Sequence, residues 1–332
     1  MPVQKRISAL KNLASEAGLD AVLINSIHDI FYYTGKTIRK EDVAFLLVPV
    51  RGKPRLFPSA LSNEIKGDEH LLVKPITGKS GVVRRELARF RKIGFDERNM
   101  SVYLYNRLRT GSWKPFSAGI KKTRQVKDRG ELNLMGKAIK VTLKCFRLRI
   151  RGRTEIELAS EIERLIRKSG AEPSFPPIVS SGSNSGFIHH IPERSRIGRG
   201  LVIMDCGARL GGYCSDLTRT FLLSETPVQR RIFQDVEEMQ GELIDTVRPG
   251  IRFRDVQERY EQLMKSGGYK VFHLFGHGVG LSVHEGPGPG DVLEPGMVLT
   301  VEPGVYEEKR GGCRIEDMVV VTMKGCRPLS RN

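Results

Sequence analysis

Two textures of hydrophobic patterning follow one another along the chain. In the front part, short apolar runs alternate with stretches of helical spacing. From Arg6, RISALKNLASEAG repeats apolar residues every three or four positions, and DAVLIN (Asp20 to Asn25) follows as a compact apolar run. VAFLLVPV (Val43 to Val50), PRLFP and HLLVKPI read as further strands. VVRRELARF reads as a helix, IGFDE as a strand, and Tyr103 to Leu108 as a short helix. Strands interleaved with helices at these lengths predict a small α/β layer domain. TGSWKPFSAG, from Thr110 to Gly119, keeps neither period and is rich in turn residues. It predicts an irregular boundary between a domain of residues 1–118 and one of residues 119–332.

Beyond that boundary the segments lengthen. One helix is predicted over Arg129 to Ile150. A second opens at Thr154, which forms a capping-box pair with Glu157, and runs on through ELASEIERLIRKSG. Two more are predicted, from Pro227 to about Val247 and from Phe253 to Ser266. Between the helices lie LVIMDCG, YCSDLTRTFLL, MVLTVEPG and RIEDMVVVT, each apolar enough for a buried strand. A curved antiparallel sheet with helices on its outside satisfies them all, so the chain as a whole reads as α/β followed by α+β.

Composition narrows the class further. With 39% hydrophobic and 28% charged residues, a chain of 332 can close two cores, and no apolar run approaches the ~20 residues that span a bilayer. MPVQKRISALKNLASEAG lacks the apolar centre of a secretory signal and reads as an amphipathic helix. Cys145, Cys206, Cys214, Cys313 and Cys326 are odd in number, without CxxC or CxH spacing. That pattern predicts reduced thiols in a cytoplasmic protein rather than a disulfide framework. The net charge of +17 is uneven: residues 1–129 hold 26 Lys and Arg against 12 Asp and Glu, and KAIKVTLKCFRLRIRGR adds a basic run from Lys137 to Arg153. With 7% aromatic residues and no recognition motif, this charge reads as a solvated basic face. A non-catalytic nucleic-acid- or ribosome-binding surface is the alternative it leaves open.

The chemistry lies in carboxylates placed where they are costly. In LVIMDCGARLGGYCSDLTRT, two apolar runs flank a turn made from Ala208 to Gly212. A turn centred on Leu210–Gly211 sets Asp205 directly opposite Asp216. One centred on Gly211–Gly212 makes them diagonal neighbours on the same face. Like charges so placed destabilise a hairpin, so a partner is expected. In MVLTVEPGVYEEKRGGCRIEDMVVV, Glu302 and Glu316 are equidistant from Lys309 and repeat the problem, with Arg314 as the nearby counter-charge. GHGVGLSVHEGP adds His277 and His284 in a stretch too rich in glycine for an ordinary helix. Four carboxylates and one imidazole suit a pair of divalent ions (manganese, cobalt, zinc or iron) about 3.5–4 Å apart, sharing an acidified water. Strand alternation points Cys206 and Cys214 away as core thiols, and Tyr213 has the wrong parity from Asp216 to take part.

In chain order, D-x-G…Y-x-SD-x-TRT (Asp205 to Thr220), GHGVG…HE (Gly276 to Glu285), TVEPG (Thr300 to Gly304) and RIED (Arg314 to Asp317) resemble the pita-bread metallopeptidases. That family includes methionine aminopeptidase, aminopeptidase P, prolidase and creatinase. DAVLINSIHDIFYYTG, TRQVKDRGELNLM and FHLFGHG, with the arginine of RIED, are similar to its proline-directed branch. The resemblance covers essentially the whole chain, more loosely over residues 50–118. It implies a small N-terminal creatinase-like α/β domain and a C-terminal pita-bread catalytic domain.

The resemblance also implies Asp205, Asp216, His277, Glu302 and Glu316 as ligands of two divalent ions. Asp216 and Glu316 would bridge both, Asp205 would complete one shell, and His277 and Glu302 the other. Glu302 would also carry a proton from water to the leaving group, and His284 would stabilise the tetrahedral intermediate. In NSGFIHHIPERSRIGRG, His189 or His190 fills the place of a further family histidine. The spacing to Pro192 favours His189, leaving His190 beside it on the substrate side. His273 falls in the pocket, and Arg314 pairs with acidic ligands or with substrate.

The implied activity is hydrolysis of Xaa-Pro bonds in dipeptides or short peptides, releasing the N-terminal residue by attack of the ion-activated water. Xaa-Pro dipeptidase stands ahead of aminopeptidase P, and a cytoplasmic homodimer with no membrane partner is expected. All five ligands are present, which argues against creatinase-type chemistry and against a pure binding role. Methionine aminopeptidases lack the front domain. One departure bears on substrate length: GPGPG alone connects Glu285 to Asp291, where prolidases and aminopeptidases P carry a longer loop.

Overall fold

The computed structural model describes residues 2–62, 64–76 and 81–330. They form two compact units, Met1–Arg124 and Gln125–Asn332. The division falls at the end of the helix Ser117–Gln125, somewhat beyond the boundary predicted at residue 118. The stretch predicted as irregular is ordered. Ser112–Pro115 is a strand pairing parallel to Lys92–Phe95, and Ser117 opens the helix. Lys114 and Pro115 hide this strand from a pattern search, yet both are tolerated at a sheet edge, where one side of the backbone has no ladder partner. Trp113 anchors it. Its ring packs 5.3 Å from Phe95 and 5.4 Å from Tyr105, and Nε1 donates to the Thr110 carbonyl at 2.8 Å.

The first unit is built on a six-stranded mixed sheet. Its spatial order is Leu72–Val73, Arg55–Pro58, Ala44–Pro49, Ala21–Ile24, Lys92–Phe95, Ser112–Pro115. Ala21–Ile24 and Ala44–Pro49 are buried along their whole length, which is why they read as unbroken apolar runs and not as alternating ones. Phe45, Leu47, Phe57, Val83, Leu87 and Ile93 share its core. A buried ion pair, Arg124 to Asp29 at 2.6 Å, ties the last helix back to Ile27–Thr34.

The second unit begins with the helix Arg129–Cys145, capped by an Asp128–Glu131 box, and continues with Glu155–Lys168, capped by Thr154 and Glu157. The first helix stops short of the predicted Ile150. Phe146, Leu148 and Ile150 recur every second residue, and all three turn back onto the core that the helix itself covers, a spacing no helix can satisfy. Ile178–Ser181, Gly200–Cys206 and Leu217–Leu223 make one antiparallel sheet; Val298–Val301, Asp317–Val321 and Cys326–Pro328 make another. Single bridges, Thr218↔Glu316 and Gly278↔Leu299, join these pieces and the glycine-rich segment. The expected curved sheet is therefore present, assembled from short pieces. The first helix pair packs on the Gly200–Cys206 side, and Pro227–Thr246 with Phe253–Ser266 packs on Val298–Val301 and Asp317–Val321. Among the described residues, no helix is long and apolar enough to cross a membrane.

Candidate metal centre

Strand register delivers the acids. Leu210 pairs with Tyr213 across Gly211 and Gly212, whose φ values of 56° and 87° glycine adopts at little cost. The same register continues to Thr218↔Asp205, so Asp216 lies diagonal to Asp205 and not opposite it. In the other hairpin, Val301↔Asp317 and Gly304↔Arg314 keep one register on either side of Pro303, which leaves Glu302 level with Glu316. The Thr218↔Glu316 bridge joins the two hairpins, with the Thr218 hydroxyl donating to Glu316 Oε2 at 2.8 Å. GHG forms the third strip. His277 N donates to Thr300 Oγ1 at 3.0 Å, Thr300 N to the His277 carbonyl at 2.8 Å, and Glu302 N to the Phe275 carbonyl at 2.8 Å.

Three tertiary joints thus bring side chains from distant segments to one place. His277 Nε2 lies 3.3 Å from Glu302 Oε1 and 3.5 Å from Asp216 Oδ2. Asp216, His277 and Glu316 each offer a donor atom, all within 4.8 Å of one another. Burial, reinforced by the charges of Asp205 and Glu302, holds the Asp216 carboxyl well above the ordinary carboxylate range. Glu316 is held up in the same way by burial and by Asp216, and burial also raises Glu302 against the pull of His273 and Arg314. Burial lowers His277, which favours the neutral imidazole that ligates metals. Asp205 Oδ1 is buried with no hydrogen-bond partner among the described residues. An oxygen-rich set with one neutral imidazole, an unsatisfied buried oxygen and mutually repelling acids fits divalent cations.

A stability prediction follows for the metal-stripped protein. The raised carboxyls keep protons in the folded state at pH values where the unfolded chain has released them. The unfolded state then binds fewer protons, so stability falls as pH rises from roughly 4 toward the raised folded values. Thermal melts of chelator-treated protein should give a Tm that declines from pH 5 to pH 8. Saturating divalent metal should reverse that slope, because it displaces the retained protons. A flat Tm in chelator would contradict the clustering of like charges.

The remaining candidates divide. Arg314 is buried and central: its guanidinium donates to Asp205 Oδ2 at 2.6 Å, to the Tyr306 hydroxyl at 2.9 Å and from Nε to Thr218 Oγ1 at 3.2 Å. His273 reaches the same network, its Nε2 lying 3.0 Å from the Tyr306 hydroxyl. The His284 ring lies over His277, 4.2 Å between centroids, and is the exposed member of the two. His189 is also exposed, and its charge bears on both His273 and His284. His190 is held by a partner of its own. Its Nε2 is held 2.8 Å from Glu155 Oε2, and that fully buried carboxylate also accepts from Ser181, Asn184 and the Glu193 backbone N–H. His189 lies in the turn just before it and is exposed, so His190 anchors the segment while His189 faces out. Tyr306 was missed from sequence. Its even spacing from Glu302 along the hairpin was the available signal. Cys206 and Cys214 are buried, and Tyr213 donates instead to Glu131 at 2.7 Å.

Comparisons with known proteins identify the family and the fold. The profile of metallopeptidase family M24 matches residues 131–323, and that of the creatinase/prolidase N-terminal domain matches residues 6–126. The chain is 31% identical to the Xaa-Pro dipeptidase of Pyrococcus furiosus, over 99% of this chain and 98% of that protein. Among solved structures, the prolidase from Pyrococcus horikoshii superposes with a TM-score of 0.91 at 28% identity, covering 99% of this chain and 98% of the other. The X-Pro aminopeptidase from Thermotoga maritima superposes with a TM-score of 0.85 at 27% identity, covering 98% and 97%.

Proposed function

The chain belongs to metallopeptidase family M24, and from that premise we propose that it hydrolyses Xaa-Pro peptide bonds, with Xaa-Pro dipeptides as preferred substrates. The observation that carries the proposal is the convergence of buried Asp216 and Glu316, with buried Asp205 beside them, on half-buried His277 and Glu302, next to the exposed His284 ring. These five would hold two divalent ions of manganese, cobalt, zinc or iron. When bound, such ions supply Lewis acidity and a water acidic enough to act as a nucleophile at neutral pH.

The chain's own groups do the rest. Burial and the neighbouring His277 lower the His284 imidazole, which keeps it neutral and able to donate a hydrogen bond to the scissile carbonyl oxygen as charge develops there. Glu302, raised by burial, can take a proton on its carboxylate and pass it to the departing proline nitrogen. That transfer matters because an Xaa-Pro bond is a tertiary amide, with no N–H of its own to anchor. Arg314 holds Asp205 directly, its guanidinium also donating to the Tyr306 hydroxyl, and His273 joins that network at the same hydroxyl.

The test compares Xaa-Pro dipeptides with Xaa-Pro-Yaa tripeptides in the presence of manganese, cobalt or zinc. Dipeptides should be cut with the higher kcat/KM. Preference for tripeptides would move the assignment to an aminopeptidase, and failure to cut any Xaa-Pro bond with any of the three metals would end it.

A further inference from the structure

GHGVGLSVHEGP folds back on itself. Gly278 and Glu285 form an antiparallel bridge, with Glu285 N donating to the Gly278 carbonyl at 2.9 Å, and Gly280 N donates to the Ser282 carbonyl at 3.0 Å. This return brings the His284 ring over His277. Close approach is required at two glycines. A Cβ on Gly278 would fall 2.2 Å from the Gly286 carbonyl carbon, and one on Gly280 would fall 2.1 Å from Glu285 Oε1. The second contact shows that the Glu285 carboxylate is folded into the return. There its Oε2 accepts from Ser282 N at 3.1 Å.

The other oxygen of Glu285 meets a lysine from far away in sequence. Lys127 Nζ lies 3.2 Å from Glu285 Oε1, and the two side chains are 1% and 7% exposed. Lys127 is itself held by its backbone. Its N–H donates to the Gly296 carbonyl at 2.9 Å, and Val126 bridges Met297, directly before the Val298–Val301 strand that runs beside His277. One end of the ion pair is therefore tied to the strand that flanks His277, and the other to the turn that carries His284.

We propose that the buried Lys127–Glu285 pair is a positioning device that fixes the return of this loop, and with it the placement of His284 over His277. The role rests on the peptidase reading above, and neither residue is assigned a contact with substrate. A neutral glutamine at 285 could still accept the Ser282 hydrogen bond. It could not draw in the ammonium group, whose attraction is strong where water is excluded. Removing one partner costs the other this counter-charge in the core, whereas removing both restores the balance of charge there. Stability and placement can therefore be separated by experiment.

The test uses Lys127→Met, Glu285→Gln and the double variant in the full-length protein. Three readouts are taken: Tm, kcat and KM on an Xaa-Pro dipeptide, and the visible absorption of the cobalt(II)-loaded protein, which reports the surroundings of His277, the imidazole against which the returning loop sets His284, without substrate. Each single variant should lower Tm and should lower kcat by about 10- to 100-fold, with KM changed less than about threefold. The double variant should regain most of the Tm but not the kcat, and its cobalt spectrum should stay altered. Recovery of kcat together with Tm would reduce the pair to a structural role and overturn the proposal, as would wild-type spectra in all three variants. Should the wild-type protein cut no Xaa-Pro bond, the cobalt spectra decide alone: altered bands support the positioning role and unchanged bands refute it.

Discussion

Asp216→Asn is expected to abolish metal-dependent cleavage while making the metal-stripped protein more stable. The amide keeps the shape of the side chain and the backbone contact at Met318, where Asp216 N lies 3.3 Å from Sδ. It removes a carboxyl whose ionisation burial and the charges of Asp205 and Glu302 oppose in the folded protein. The stripped variant should therefore melt above the stripped wild type at pH 7 and lose part of the pH slope. The same change breaks the proposed bridging ligand. A fall in kcat/KM of roughly a thousandfold or more, about 4 kcal/mol of transition-state stabilisation, is the corresponding loss. The opposite movement of the two quantities is the diagnostic, since a residue that only supported the fold would lower both. Calorimetric metal titration, melting in chelator and a dipeptide assay measure it, and a variant with wild-type activity would rule out the site.

Arg314→Met should have the larger effect on the fold. One guanidinium holds Asp205 directly and touches Thr218, whose hydroxyl in turn donates to Glu316. Burial disfavours this cation, but Tyr306, Asp205 and Glu302 together hold it protonated far above the ordinary range. Methionine replaces much of the volume and none of the charge, leaving the acids uncompensated. Breaking a buried pair in this way costs about 3–5 kcal/mol. At pH 7 in chelator the variant should melt far below the wild type. Acid should restore part of the difference by protonating the cluster, and divalent metal should restore more. Arg314→Lys keeps the charge without the planar fork and should fall between the two. An unchanged Tm for Arg314→Met would show that the acids are balanced by some other group.

Much of the candidate site was legible because side chains in a strand alternate with an invariant period of two. The positions of Glu302 and Glu316 relative to Lys309 sufficed to place them level, and the structure keeps that register despite Pro303. For Asp205 and Asp216 two turns were open. The structure takes the one whose two central residues are both glycine, because both have positive φ. Caps were legible for the same local reason: Thr154 and Glu157 lie three apart, within one helical turn. The Ser112–Pro115 strand was not, because an edge strand needs only a partner on one side and so tolerates the residues that usually argue against a strand.

From the sequence alone came most of the helices and strands, the two acid-bearing hairpins, and through them the family. All of these depend on neighbours within a few residues, where periodicity, caps and turn geometry act. Only the tertiary structure decided which of two adjacent histidines faces out, since that turns on Glu155 capturing His190 from 35 positions away. Only it joined the hairpins at Thr218 and Glu316, brought His273 to Tyr306, and set Lys127 against Glu285. Those contacts depend on how separate elements pack, and no local pattern encodes a partner that packing alone brings near.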